Sequence, residues 1–267
     1  MSTTTENQNA NIILGLDIST ACVGISIVKD DGVSEPEILK ITHVIPKIKK
    51  TIKGIEALIL RKDIFEKEFL ENYKDFGITE CVIESPLAFA TGNSNVETVS
   101  QLLQFNGLLS ESVYRVLGII PNYISSYNAR LLSFPQLLSI RRLNKKGEMY
   151  PLSHYKKAIK NNELVLFGSF PFDCDKKSVM MDLVSEKYPT IEWIVDEKGK
   201  IKKENYDACD SLVCVLAYIN KKRNGEISPK ITDTIVEINE TTNETNITYT
   251  VEYWDKREEK LLKIINN

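Results

Sequence analysis

Ile12-Ile13-Leu14-Gly15-Leu16-Asp17 is a short apolar run that ends in an acid. Cys22-Val23-Gly24-Ile25-Ser26-Ile27-Val28 follows at hairpin distance, with small or polar residues alternating with branched apolar ones, so the two read as antiparallel strands. A third strand fits Ile38 to Ile45, after the turn signal Asp30-Asp31-Gly32 and the break at Pro36. From about Lys53 to Phe76 the pattern turns helical: Ile55, Leu58, Ile59, Phe65, Phe69, Tyr73 and Phe76 make an apolar stripe among Lys and Glu, and Gly77 supplies a stop.

Glu80-Cys81-Val82-Ile83-Glu84-Ser85-Pro86 reads as a buried strand that ends in a carboxylate and is cut off by proline. Ser94 to Leu117 reads as a helix capped by Asn93 or Ser94, and Ile119 to Ser125 as another strand. This β-β-β-α-β-α-β order predicts an α/β fold, a mixed five-stranded sheet with helices packed on both faces. The stretch Pro135 to Phe172 has no clear period and reads as an insertion. Asp175 to Tyr188 is helical in pattern, and Tyr206 to Lys221 is a helix apolar nearly all round, expected against the sheet. Ile231 to Asn239 and Asn246 to Trp254 alternate like strands and predict a C-terminal hairpin, closed by a short charged helix from Lys256.

A length of 267 residues allows one α/β domain with decorations. The expected division is a leader over 1–10, a main domain over 11–225 with an insertion at 135–172, and an extension over 226–267. The chain is 42% hydrophobic and 27% charged, which excludes an intrinsically disordered or collagen-like protein. Its longest apolar run, Leu212 to Ile219, has eight residues, far short of the roughly 20 that a membrane-spanning helix needs. The first ten residues lack the basic start and apolar stretch of a secretory signal, so a cytoplasmic location is expected.

The five cysteines (Cys22, Cys81, Cys174, Cys209, Cys214) form no CxxC pair and read as reduced thiols. With His43 and His154 the only histidines, a zinc site or a His-dependent nucleophile is poorly supported, and any metal would be held by oxygen. That favours magnesium-type chemistry. A net charge of −3 leaves nucleic acid open as a partner, because bulk charge does not register local patches.

Asp17 ends the first strand, Glu84 ends the fourth, and Asp207 and Asp210 start the last helix, each in apolar company. Two acids three residues apart project from one helix face, and the rest of that helix is greasy, so the acids are drawn toward the sheet. Singly, each has a bland explanation: turn residue, solvated strand end, helix cap. Together they predict one negative site. Four like charges at one buried spot repel unless cations intervene, and pairs of hard ions about 3.5–4 Å apart serve in-line displacement at phosphorus.

Gly15-Leu16-Asp17-Ile18-Ser19 with Gly24, Val82-Ile83-Glu84 and Asp207-Ala208-Cys209-Asp210-Ser211-Leu212 resemble the motifs of the RuvC-like Holliday junction resolvases, within the RNase H-like superfamily. Asn95, Ser100, Leu103 and Gly107 are similar to that family's second helix, and Lys176-Lys177-Ser178-Val179 to its Lys-x-x-Val helix. The resemblance spans about Ile12 to Ile219 with the middle interrupted. It implies an RNase H-like fold and a magnesium-dependent endonuclease, with Mn2+ able to substitute. Asp17, Glu84, Asp207 and Asp210 would be its metal-binding catalytic tetrad. It further implies hydrolysis of four-way or branched DNA in recombination and repair, leaving 5′ phosphates, and the two-fold symmetry of such a junction leads us to expect a homodimer. The insertion and the C-terminal extension depart from the short bacterial enzymes and suggest a phage or viral type.

For DNA contact, Ile140 to Asn162 holds seven basic residues, among them Arg141 and Arg142, against one acid, a pattern suited to phosphates or to plain solvation. Phe89 lies where the family carries aromatics that stack at the junction, although a lone loop Phe is as often a core plug. Arg130, Lys176 and Lys177 are candidates for phosphate contacts. Asn93 and Ser94 are candidates for presenting a helix N-terminus to one. Three rivals remain at this level. Gly15 to Thr20 also looks like the first phosphate loop of sugar kinases and actin-type ATPases, which need a second half and a Gly-rich loop that 12 scattered glycines do not supply. Another RNase H-like nuclease, of ribonuclease H or flap type, would use a similar tetrad. A non-catalytic nucleic-acid-binding module of the same fold would not need the acids.

Overall fold

The computed structural model describes residues 10–86, 95–140, 167–168, 175–225, 230–239, 244–255 and 260–266. Three consecutive strands, β1 (Asn11–Ile18), β2 (Val23–Asp30) and β3 (Glu37–Val44), form the antiparallel meander expected from the alternation. Helix α1 (Gly54–Phe65) runs through a π turn, Glu66–Leu70, into the single turn α2 (Glu71–Tyr73) and returns the chain to β4 (Glu80–Glu84), which lies parallel to β1. The expected single helix is therefore interrupted. At the π turn Glu66 is aimed at the next long helix, where it accepts from Ser112 and Arg115.

Helix α3 (Val96–Leu117) is capped by Asn95, whose side chain accepts from Thr98 N at 2.7 Å, one or two residues later than the expected cap. It leads to β5 (Asn122–Ile124), parallel to β4, and then to α4 (Ser126–Ser133), where sequence pattern alone assigned no element. The sheet order is β3-β2-β1-β4-β5. After a 3-10 turn at Pro135–Leu137, β6 (Ser139–Ile140) pairs with β7 (Phe167–Gly168). Leu137 and Leu138 are buried in the main core, so the expected insertion starts inside the domain. Helices α5 (Lys176–Lys187) and α6 (Glu204–Asn224) complete it.

The pleat sorts the core into two layers. Leu14, Leu16, Ile18, Val23, Ile25, Cys81 and Ile83 face α1 and α3, while Ile13, Val28 and Val82 face α6, α4 and α5. Helices thus cover both faces, and α6 is buried nearly all round because it lies between the sheet and the shorter helices. Its far end is fixed by Arg223, which pairs with Asp30, both almost wholly buried, and donates to Ser34 O at 2.7 Å.

The C-terminal extension differs from expectation. Strands β8 (Lys230–Asn239), β9 (Glu244–Asp255) and β10 (Lys260–Asn266) form a three-stranded antiparallel sheet with β9 central, where a hairpin and a short charged helix were expected. A short isolated helix is marginal in water, whereas the open edge of the long β9 offers Lys260–Asn266 a full ladder; Lys263 stands opposite Glu252 and reaches it at 2.6 Å.

Candidate metal centre

The face that Ile13 and Val82 share also carries Asp17, four residues beyond Ile13 on β1, and Glu84, two residues beyond Val82 on β4. Leu16 is in register with Ile83, so Asp17 and Glu84 end adjacent parallel strands. Helix α6 brings the third acid. Ligand oxygens of Asp17, Glu84 and Asp210 lie within 4.8 Å of one another. Asp207 stands one helical turn away, outside that trio, with its carboxylate 3.5 Å from Lys177 Nζ.

Two glycines make this approach possible. A Cβ on Gly24 would overlap the backbone carbonyl of Asp207, and one on Gly15 would overlap Val215 and the Ser211 carbonyl. Bare backbone on β1 and β2 therefore lets α6 sit against the sheet at the height of the acids. The sequence motif that carried these glycines is in effect a docking groove for the helix that carries Asp207 and Asp210.

Burial is the first cause that pushes the Asp17 carboxyl well above its usual range, and the charges of Glu84, Asp210 and Asp207 push it further. Glu84 is pushed up to about 7, by burial and then by Asp210, while Arg130 and a hydrogen bond from Ser126 work the other way. Asp210 is raised chiefly by burial, against the lowering influence of Arg130 and Lys177. Burial works against the charge of Lys177, but Asp207, Asp210 and Asp17 outweigh it and hold that ammonium above its usual value. Its Nζ also lies 5.7 Å from the centre of the Tyr206 ring. Two cations thus face four acids, and the donor set is all oxygen, which fits a hard divalent ion such as Mg2+.

Metal binding requires ionised carboxylates, so the affinity of this site for Mg2+ is expected to rise as pH passes through 7. In the metal-free protein the sign is opposite. Glu84 titrates higher folded than unfolded, so the folded form holds more protons and stability falls as pH climbs from about 4.5 to about 7. Thermal melts with and without Mg2+ would show a small metal-induced shift at pH 6 that grows toward pH 8. A pH-independent shift would contradict this assignment.

Of the other sequence-predicted residues, Arg130 on α4 lies beside Glu84 and Asp210, Lys177 pairs with Asp207, and Lys176 is exposed at the start of α5. Phe89, Asn93, Ser94, Arg141 and Arg142 lie outside the described residues. Sequence reading missed Ser126, which bonds Glu84, and Cys22, whose buried thiol bonds Asp207. Ser126 had a signal, since it follows the capping Ser125 directly after a strand that runs alongside the Glu84 strand. Cys22 had none beyond its place in the turn of the first hairpin, where its carbonyl accepts from Ser19 N at 2.9 Å.

No protein-family model matches the chain, and no curated protein matches it. Among solved structures, Thermus thermophilus RuvC is 13% identical and superposes at a TM-score of 0.46 over 80% of this chain and 96% of that one. The T. thermophilus RuvC complex with Holliday junction substrate gives 13% identity and a TM-score of 0.45 over 80% and 96%. The yeast mitochondrial Holliday junction resolvase Ydc2 gives 10% and 0.40 over 81% and 80%. The strand order and the helices on both faces make up the mixed five-stranded sheet that the sequence pattern predicts. Among the described residues no helix is long and apolar enough to cross a membrane.

Proposed function

We propose that this chain is a divalent-metal-dependent endonuclease for branched DNA, with the four-way junction as its preferred substrate. The observation that carries the reading is the convergence of Asp17, Glu84 and Asp210 oxygens within 4.8 Å from two strand ends and one helix. A folded protein does not gather half-buried carboxylates without a cationic partner unless it tolerates their raised pKa values, and such sites cluster where chemistry is done.

Asp17, Glu84 and Asp210 would hold the metal, with Asp207 as the fourth acid on the Lys177 side. When bound, Mg2+ or Mn2+ supplies the positive charge that eases deprotonation of an attacking water and steadies the leaving 3′ oxygen. The protein's own residues set the geometry. Gly15 and Gly24 fix the depth of α6, Ser126 orients Glu84, and Arg130, Lys176 and Lys177 face incoming phosphates, Lys177 after exchanging its bond to Asp207. The reading includes a main domain over 11–225 with an insertion at 135–172 and an extension over 226–267, work in the cytoplasm, and a homodimer matched to the two-fold symmetry of a junction. Phe89, Asn93, Ser94, Arg141 and Arg142 remain proposed DNA contacts.

The test compares junction, duplex, flap and RNA–DNA hybrid substrates at fixed salt with Mg2+ or Mn2+. Paired nicks in opposing junction strands, with 5′ phosphates, are expected. Strong preference for the hybrid would replace this reading with a ribonuclease, and ATP turnover without nucleic acid would replace it with the kinase-like rival. Sedimentation of a monomer both free and junction-bound would remove the dimer.

A further inference from the structure

A lysine-rich strap follows β3, Pro46-Lys47-Ile48-Lys49-Lys50-Thr51-Ile52-Lys53, with four lysines and no acid in eight residues. Its lysines are exposed, whereas Ile48 and Ile52 are half-buried and line, with Leu60 and Ile64 of α1, a shallow recess of about 460 Å³. Backbone bonds from Lys47 N to Ile45 O, 2.8 Å, and from Ile52 N to Lys49 O, 3.1 Å, fold it tightly. The strap is therefore anchored by its isoleucines and presents its lysines outward. Among the described residues none of the four lysines makes an ion pair.

Topology fixes where the strap lies. Asp17, Gly24 and His43 are in register across β1, β2 and β3, so the C-terminal ends of β3 and β1 lie at the same end of the sheet. Two strand spacings separate Asp17 from His43, about 10 Å at the backbone, and Lys47 follows four residues later. β4 begins beside Ile13, at the opposite end, so α1 must start at the Asp17 end and run away from it. The strap thus sits at the same end of the sheet as the acids.

Helix stability does not explain these lysines. Lys53 occupies the N-cap of α1 with no side-chain cap bond, and Glu56 is the lone acid of the first turn. Positive charge is disfavoured at that end of a helix, by about 0.3–1 kcal/mol per group. Neither does bulk solubility in a chain of net charge −3 call for four lysines in one strap. A dense polyanion relieves the mutual repulsion of such a cluster, and counterion release makes the contact favourable.

We infer that the strap Lys47, Lys49, Lys50 and Lys53 is a backbone-phosphate contact surface for a duplex DNA arm whose neighbouring segment lies at the acids. The inference rests on the nuclease reading and names the path of one substrate arm. One turn of duplex is about 34 Å long, enough to reach from the acids to the strap. The contact carries no base sequence information, because ammonium groups on flexible stems meet phosphates as point charges.

The test is the salt dependence of junction and duplex binding by the full chain without divalent ion, in wild type and in the quadruple variant Lys47→Gln, Lys49→Gln, Lys50→Gln, Lys53→Gln. The slope of log affinity against log salt should flatten by about 3–4, with at least about tenfold weaker binding. A control, Lys74→Gln with Lys221→Gln, removes exposed charge outside the strap and should move the slope by less than about 0.5. An unchanged slope in the quadruple variant, with wild-type junction cleavage intact, overturns the strap alone. Absence of wild-type DNA affinity overturns the nuclease reading beneath it. Strap-dependent capture of phosphatidylserine vesicles in preference to DNA overturns the choice of partner.

Discussion

Asp17→Asn is expected to abolish Mg2+-dependent cleavage, by at least about 10³-fold or roughly 4 kcal/mol of transition-state stabilisation, while leaving the fold intact. Asparagine keeps the size of the side chain and one oxygen but removes a negative charge from the centre of the trio. In the metal-free protein that charge is a liability, since burial and three neighbouring acids all disfavour it. The variant should therefore melt higher than wild type without metal, by roughly 2–4 °C for about 1 kcal/mol, and lose most of the Mg2+-induced shift. Loss of activity together with a lower metal-free melting point would indicate a folding defect and contradict this account. Retained cleavage would remove Asp17 from the chemistry.

Gly24→Ala should damage both stability and activity although the methyl group it adds meets backbone atoms and no carboxylate. That methyl would overlap the Asp207 carbonyl and press on Ala208 N, backbone atoms of a helix that cannot turn aside as a side chain can. Overpacking of this kind costs about 1–3 kcal/mol, and the upper end is expected here. The relief open to the protein is to lift α6 off β2. A shift of about 1 Å in a catalytic group is enough for roughly 100-fold in rate, so cleavage should fall by about that factor with little change in DNA affinity. Gly107→Ala is the control: nothing lies within 4 Å of a Cβ there, and alanine on a helix surface is about 1 kcal/mol better than glycine. Melting curves and single-turnover rates on the same preparations read both effects. Wild-type behaviour of Gly24→Ala would mean that α6 does not press on β2 at Asp207.

Asp17 and Glu84 were legible because each follows an apolar strand run, and period two fixes which face such a residue joins. Asp17 shares the face of Ile13 and Glu84 that of Val82, as period two requires. The difference between Asp207 and Asp210 was not legible. Spacing alone places both on one helix face, and only the docking of α6 decides that Asp210 meets the strand ends while Asp207 turns to Lys177. Lys177 read as a phosphate contact because its partner lies 30 residues away. The glycines were visible as a motif, but their purpose lay in a helix almost 200 residues further on.

One local reading failed, and one detail of a helix that was read correctly stayed invisible, for a shared reason. Lys260 to Asn266 carries charges near a pair of isoleucines and suits a helix or a strand equally, so the open edge of β9 decided it. The π turn at Glu66–Leu70 depends on Ser112 and Arg115 of α3, which no local window contains.

The central claim, that Asp17, Glu84 and Asp210 form one cation site, is tested most directly by anomalous diffraction from crystals of the wild-type protein grown with Mn2+. The account expects a strong manganese peak bonded to oxygens of those three residues at about 2.0–2.2 Å. Manganese bound elsewhere, with these carboxylates bare at a pH above 7, would contradict it.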